Sequence, residues 1–424
     1  MTLSRNVLGG AVALLAVLAL TFGGRAVAAS ATLSAADRLA AVRAIEDKIG
    51  KTYVFAERRA PIVARLEQAL AAHRYDVADP DVFAQRITED LQAVSHDGHL
   101  YFDSDPGEYA ASLAPPKSDK GLGAYYRAVS LREHSGLTRL DILPGNIRYL
   151  KLTAFHWTPR VTAAAYDDAA RFLKDGDAVI FDLRENGGGD SDAADYFSKA
   201  FVRPGHKQYY VLVDGHVASA AEAVAYGLQQ EHAATIVGST TYGAANNNRK
   251  FPIAPCFILS VSYHRPVNPI SGTNWEGVGV KPDIAVPASQ ALDAAMLAAL
   301  DKLGAAPNLK PETRAEYRWA RIGVEARLHP VTIARAPLQA LAGTYGTITL
   351  RLTDDGLRLD RADRPRWQQD LLLTPMTADG VFGVESFDDL RVRLTGSTLE
   401  LLHGSEAERE VFPRDAASGA AASP

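Results

Sequence analysis

One cysteine in 424 residues, Cys256, leaves the chain without an internal disulfide. Its rigidity must therefore come from packing and hydrogen bonding rather than cross-links. Cys256 precedes Phe257-Ile258-Leu259 and reads as packed core, with a catalytic thiol as the sharper alternative. Basic charge is also scarce: 45 Lys and Arg stand against 50 Asp and Glu, a formal charge of −5. That argues against a nucleic-acid partner, which would call for a basic patch. No His-Glu-x-x-His occurs, so the usual zinc-peptidase signature is missing. His96 and His99 could be read as ligands, but no metal and no cofactor is expected. Neither phosphate-cradling pattern is matched at Gly187-Gly188-Gly189, because the P-loop lysine and threonine are absent and Asp192 stands where a third spaced glycine would be.

A long apolar run is lacking as well. Residues 11–22 are almost unbroken in apolar character, short of the ~20 residues that a membrane span needs. With Arg5 before them and Ala26-Val27-Ala28 after them, they read as a secretory signal over residues 1–28, an uncleaved anchor being the competing reading. No cysteine ends that stretch, so a lipid anchor is not expected. Cleavage would remove Arg5 and Arg25 and no acidic residue, taking the formal charge from −5 to −7. The expectation is a periplasmic or secreted chain without stable membrane insertion, with homo-oligomer formation left open.

What is present organises into segments. Ser34 opens a helix with Leu39, Val42, Ile45 and Ile49 at helical spacing. A second helix runs near Ile62, Leu66 and Leu70. A third follows Asp79-Pro80, an N-cap and first-turn proline, with Phe83, Ile87, Leu91 and Val94 on one face. Residues 29–103 thus read as an N-terminal helical subdomain carrying His99, and 104–135 as a loop-rich linker. From 136 to 305 strands and helices alternate: strands at 147–152, 178–183, 209–213, 234–237 and 257–263, with helices at 161–173, from Ser191 and from Ser219. That is the signature of an α/β core. Residues 306–335 form a helical connection. Alternating runs within 336–413 predict a small antiparallel β-sheet or barrel domain, and 414–424 an Ala/Ser/Gly tail that is disordered.

Two places carry chemistry. Buried strand 211–215 meets a small-residue helix opened by Ser219, and a serine on such a turn has its hydroxyl exposed beside free helix N–H groups. The same Ser219-x-x-Glu222 is a capping box, in which the hydroxyl only satisfies a backbone donor. Both readings stand on the local residues. Asp182-Leu183-Arg184-Glu185-Asn186-Gly187-Gly188-Gly189 ends another buried strand in glycines that can aim N–H groups at a ligand, or simply form a flexible turn. A serine nucleophile needs a base and an orienting carboxylate, and eleven histidines leave the base ambiguous. Glu276, beside Trp275 and several glycines, would by itself pass as a solvated turn residue.

Four motifs in order are familiar together: Asp97-Gly98-His99-Leu100, Asp182 to Gly188, Ala218-Ser219-Ala220-Ala221-Glu222, and Gly277-Val278-Gly279-Val280-Lys281-Pro282-Asp283-Ile284. Over roughly residues 35–300 the chain resembles the C-terminal-processing (tail-specific) serine peptidase family. Its helical start looks like the branch of the tricorn core protease and the interphotoreceptor retinoid-binding protein repeats. The resemblance implies a ClpP/crotonase-like spiral of ββα units. It also implies Ser219 as nucleophile, His99 as base, Glu276 as its orienting carboxylate, and an oxyanion hole from the amides of Ala220 and of Gly188 or Gly189. The implied substrate is a peptide or protein, hydrolysed through an acyl-enzyme. An esterase or amidase with the same triad, or a non-catalytic binder of apolar ligands, is the alternative.

Three departures qualify the resemblance. Many members place a lysine in a Gly-Lys-Gly stretch beyond the serine, whereas Thr241-Tyr242-Gly243-Ala244-Ala245 has none and Lys250 is the nearest. Residues 100–146 are too few to hold a peptide-binding PDZ module. Gly98 occupies the place where the tricorn-type histidine is often preceded by serine, so a triad rather than a tetrad is implied.

Overall fold

A computed structural model describes residues 32–415 apart from 204, 206, 406 and 407. The secretory-signal segment and residues 416–424 of the expected tail lie outside the described residues.

Three helices open the chain: α1 (Ala35–Thr52), α2 (Ala56–Ala71) and α3 (Pro80–Ser95). Ser34 caps α1, its side chain accepting the Asp37 amide while Asp37 answers in a capping box. Asp79 caps α3 through the Asp81 and Val82 amides, with Pro80 in the first turn. Val42, Ile45, Ile49, Phe83, Ile87 and Leu91 are buried as the spacing predicts. Leu39 is 47% exposed instead. The helices pack on a three-stranded antiparallel sheet ordered β1-β8-β7, built from β1 (Tyr101–Ser104), β7 (Asn247–Ile253) and β8 (Phe257–His264).

The segment read as a loop-rich linker forms two helices, α4 (Pro106–Leu113) and α5 (Leu122–Arg132). The Asp105 side chain caps α4 and Pro106 sits in its first turn, signals that the neighbouring Pro115-Pro116 and glycines obscured.

The central sheet holds β2 (Leu137–Leu143), β3 (Ile147–Leu152), β4 (Ala178–Asp182), β5 (Gln208–Val213), β6 (Thr235–Gly238) and β9 (Ile284–Ala285), in that spatial order. Only β2 runs antiparallel; β3, β4, β5, β6 and β9 are parallel. The crossovers are α6 (Pro159–Leu173), α7 (Ser191–Phe201) and α8 (Ala220–Gln230). Side-chain alternation splits the sheet between two cores. Val179, Phe181, Val211 and Val213 face α6, α7 and α8. Ile147, Ile180, Tyr210 and Leu212 face α9 (Ala291–Gly304) and α10 (Pro311–Leu328).

This architecture corrects the ClpP/crotonase-like spiral that the resemblance implied. A ββα spiral would add two strands per turn. Here each helix returns a single strand to the same sheet, so the core is one mixed six-stranded sheet between two helical layers. The remaining strands β1, β7 and β8 pair with one another under the N-terminal helices instead of extending a spiral.

After α11 (Arg335–Leu341) come eight strands: β10 (Gly343–Tyr345), β11 (Ile348–Leu352), β12 (Leu357–Arg361), β13 (Leu371–Pro375), β14 (Val381–Val384), β15 (Phe387–Leu394), β16 (Thr398–His403) and β17 (Arg409–Pro413). Each pairs antiparallel with the next around a leucine-rich interior. The Asp415 amide reaches the Thr344 carbonyl at 2.9 Å, so the barrel is nearly closed. Among the described residues no helix is long and apolar enough to cross a membrane.

Candidate active site

Parallel strands β4 and β5 end side by side, Asp182 opposite Leu212, and both glycine-rich and serine turns leave from their carboxyl ends, where open α/β sheets form their crevices. The two turns are stitched together: the Ala218 amide donates to the Asn186 carbonyl at 3.1 Å. Asn186 is fully buried. Its side-chain nitrogen donates to the Leu152 carbonyl and its side-chain oxygen accepts the Gly188 amide, both at 2.9 Å.

Gly188 has φ +98° and lies against the serine turn: a Cβ there would stand 2.8 Å from Ser219 Cβ and 2.7 Å from the Ala218 carbonyl oxygen. No side chain fits. Gly188 and Gly189 therefore differ. The Gly188 N–H is already spent on Asn186, while Gly189 is exposed with no hydrogen bond from its amide among the described residues. The Ala220 amide is a first-turn helix donor, the kind that intrahelical bonding leaves free.

Ser219 itself is held at φ 54°, ψ −119°, a conformation costing a non-glycine residue on the order of 1–3 kcal/mol. Its amide donates to Glu222 Oε2 at 2.9 Å. The Glu222 half of the capping box is thus a hydrogen bond, while none from the Glu222 amide to the Ser219 hydroxyl accompanies it among the described residues. Glu222 does more than cap. Its fully buried carboxylate also accepts the Ala244 amide at 2.9 Å on Oε2, and the Thr241 hydroxyl and the Gly243 amide (2.7 Å) on Oε1.

The next two amides of that loop turn to another carboxylate. Ala245 and Asn246 donate to Glu276 Oε2 at 2.6 and 3.0 Å. Glu276 lies in the loop between β8 and β9, and its Oε1 is buried without a partner. His99 comes from the loop before β1, its carbonyl accepting the Ser260 hydroxyl at 2.6 Å. Its Nδ1 is likewise buried and unpartnered. No hydrogen bond joins His99 to Ser219 or to Glu276 among the described residues. Burial depresses the His99 pKa below its ordinary value, against the opposing charge of Asp97 and the backbone of Asn246. Burial, then the charge of Asp97, push the Glu276 carboxyl up to about 7 despite its two amide donors.

His99, Ser219 and all three glycines 187–189 line one cavity of about 640 Å³, whose walls include Phe155, Trp157 and Tyr126. Glu276 is not among the residues that line it. Lys250 also faces this cavity, but its ammonium is 3.0 Å from Glu108 Oε2, which takes the Tyr126 hydroxyl on its other oxygen. Partial burial opposes the Lys250 charge, yet Tyr101, Tyr126 and Glu108 raise its pKa overall. A lysine base needs the opposite shift. At Gly98 a Cβ would lie 2.4 Å from the Tyr242 ring, so that ring occupies the space a serine side chain would need. Among the described residues no cluster of three or more His, Cys, Asp or Glu is placed to hold a metal.

Asn186, Thr241, Asn246 and the second role of Glu222 escaped the sequence reading. Asn186 alone had a legible signal, an asparagine between a buried strand and a glycine run.

Comparison with known proteins places these elements in context. The chain matches the model of peptidase family S41 over residues 146–210 and 203–286. It is 29% identical to the carboxy-terminal-processing protease of Bartonella bacilliformis over 34% of this chain. The matched stretch spans 39% of that protease's length. Among solved structures it is similar to a lipoprotein from Streptococcus agalactiae, with TM-score 0.43, 12% identity, and 63% of this chain and 98% of that one covered. It is also similar to the tricorn protease, with TM-score 0.41, 11% identity, and 61% and 35% covered.

Two outcomes are expected. Glu222→Ala leaves three amides and a hydroxyl without their acceptor, so urea unfolding should show a loss of at least ~2 kcal/mol. A loss within ~0.5 kcal/mol, the scale of a surface substitution, would mean that the 241–246 loop is held otherwise. For Glu276, a pKa near 7 when folded against the ordinary 4.5 means that the folded state holds the proton more tightly. Its contribution to stability is full below about pH 4.5 and is lost as the pH rises through 7. The melting temperature of Glu276→Gln should therefore gain on that of the parent chain between pH 4.5 and pH 8. A constant gap would show an ordinary, solvated carboxyl.

Proposed function

We propose that this chain, which matches the model of peptidase family S41 over residues 146–210 and 203–286 and is similar to a carboxy-terminal-processing protease, is an exported serine hydrolase acting on peptide bonds of proteins or peptides. The observation that carries this reading is the shared cavity: Ser219, His99 and the glycine turn border one space, with the serine strained at the head of a helix.

In the proposed mechanism the Ser219 hydroxyl attacks a substrate carbonyl while His99 removes its proton through the nitrogen facing the cavity. The depressed imidazole pKa keeps His99 neutral and able to accept that proton near pH 7. Glu276 holds the tautomer. Its Oε1 and the Nδ1 of His99 are both buried polar atoms without partners, and each unpaired group costs about 1–3 kcal/mol. A ring movement that joins them satisfies both. The amides of Ala220 and Gly189 receive the oxyanion; the Gly188 amide, engaged by Asn186, supports its neighbour instead. The acyl-enzyme forms as the amine leaves with the proton from His99, and water activated by the same imidazole releases it.

The aromatic walls at Phe155, Trp157 and Tyr126 favour an apolar stretch of substrate, and they are also what a non-catalytic binder of apolar ligands would present. A fluorophosphonate probe separates the two. It should label the parent chain and not Ser219→Ala. Labelling that persists in Ser219→Ala would move the nucleophile elsewhere, and a parent chain that stays unlabelled would leave the binder.

A further inference from the structure

We propose that Asp97 and Asn246 are positioning residues for this reaction: Asp97 anchors the loop that carries His99, and Asn246 ties that anchor to the carboxylate of Glu276. The inference rests on the serine-hydrolase reading and deepens it.

The hydrogen bonds run as a chain through the interior. Asp97 Oδ1 accepts the His99 amide at 2.9 Å, and Oδ2 accepts the Asn246 side-chain nitrogen at 3.3 Å. The Asn246 backbone amide donates in turn to Glu276 Oε2 at 3.0 Å. Asp97 is 1% exposed and Asn246 fully buried. The Asp97 amide is itself fixed by the Ser95 hydroxyl at 3.2 Å. Both His99 and Glu276 are thereby gripped by atoms that take no part in proton transfer, a backbone amide in one case and the far carboxylate oxygen in the other. The atoms that would act, His99 Nδ1 and Glu276 Oε1, are left without partners. Locking a working side chain through its outer contacts while freeing its functional atom is the requirement for pre-organisation.

Charge adds to geometry. Asp97 and Glu222 are the charged groups that bear on Glu276, and Asp97 is the charge that bears on His99. The Tyr53 hydroxyl, after α1, also feels the charge of Asp97, and Arg58 of α2 bears on that hydroxyl in turn. Asp97 therefore holds a fixed negative charge close to the imidazole, which favours the imidazolium that forms when the serine proton arrives. It does so without touching substrate.

Asp97→Asn keeps the oxygen that receives the His99 amide and removes the charge. Two readouts on the whole chain test it: the rate of fluorophosphonate labelling from pH 5 to 9, and the titration of the His99 ring by NMR, assigned by its disappearance in His99→Gln. The expected result is a labelling rate lower by roughly 10- to 100-fold at pH 7.5, the scale of a misplaced catalytic group. The acid limb should move to lower pH and the His99 titration should fall with it. Asn246→Ala should also slow labelling, with a smaller movement of the limb. A limb and a titration that stay in place in Asp97→Asn overturn the proposal. If that variant does not fold, an unchanged labelling rate in Asn246→Ala overturns it. Failure of the parent chain to label would sink the hydrolase reading separately, while the His99 titration needs no reaction and still tests the coupling.

Discussion

Four consecutive amides hold this site together. Gly243 and Ala244 give theirs to Glu222, Ala245 and Asn246 give theirs to Glu276, and the Asn246 side chain goes on to Asp97. One short loop thereby fixes the serine turn, the carboxylate of Glu276 and the loop bearing the histidine. Carboxylates that accept several N–H bonds in a low-dielectric setting make strong, directional anchors. The stretch is also the one in which many relatives are expected to carry a lysine. Without that side chain, its backbone serves as a scaffold for carboxylates.

The sheet supplies the other half of the constraint. Because β4 and β5 are parallel neighbours, their following turns emerge at the same edge, and the Asn186 carbonyl, accepting the Ala218 amide, locks one to the other. Close approach at Gly188 then leaves no room for any side chain against Ser219. Strain at Ser219 is tolerated because Glu222 holds its amide and the small residues of α8 sink into the core beneath it. Burial that stabilises the fold also sets the chemistry: the same low-dielectric surroundings depress the imidazole and raise the Glu276 carboxyl.

Much of the architecture was legible in local pattern. Ser34 and Asp79 announced their helices, and runs such as Ala178–Asp182 could only be buried strands. Legibility failed where signals were mixed or non-local. Pro115-Pro116 and the nearby glycines masked α4 and α5, although Asp105-Pro106 is a sound helix start. The spiral expectation failed because resemblance speaks to motifs, whereas the path of successive strands depends on which sheet each crossover rejoins. Gly188 and Gly189 looked equivalent in sequence and are not, since only a buried asparagine side chain tells them apart.

The amino-acid order by itself determined the caps, the strand runs, the glycines that permit positive φ, and a serine poised at a helix start. These are interactions within a few residues of one another, set by backbone geometry and side-chain propensity. Only the tertiary structure decided which distant groups meet. Asn246 reaches Asp97 across 149 positions of chain, and Ser260 reaches the His99 carbonyl across 161. No periodicity encodes such pairings; they follow from the packing of α1, α2 and α3 on the β1-β8-β7 sheet and from the 241–246 loop that leads into β7.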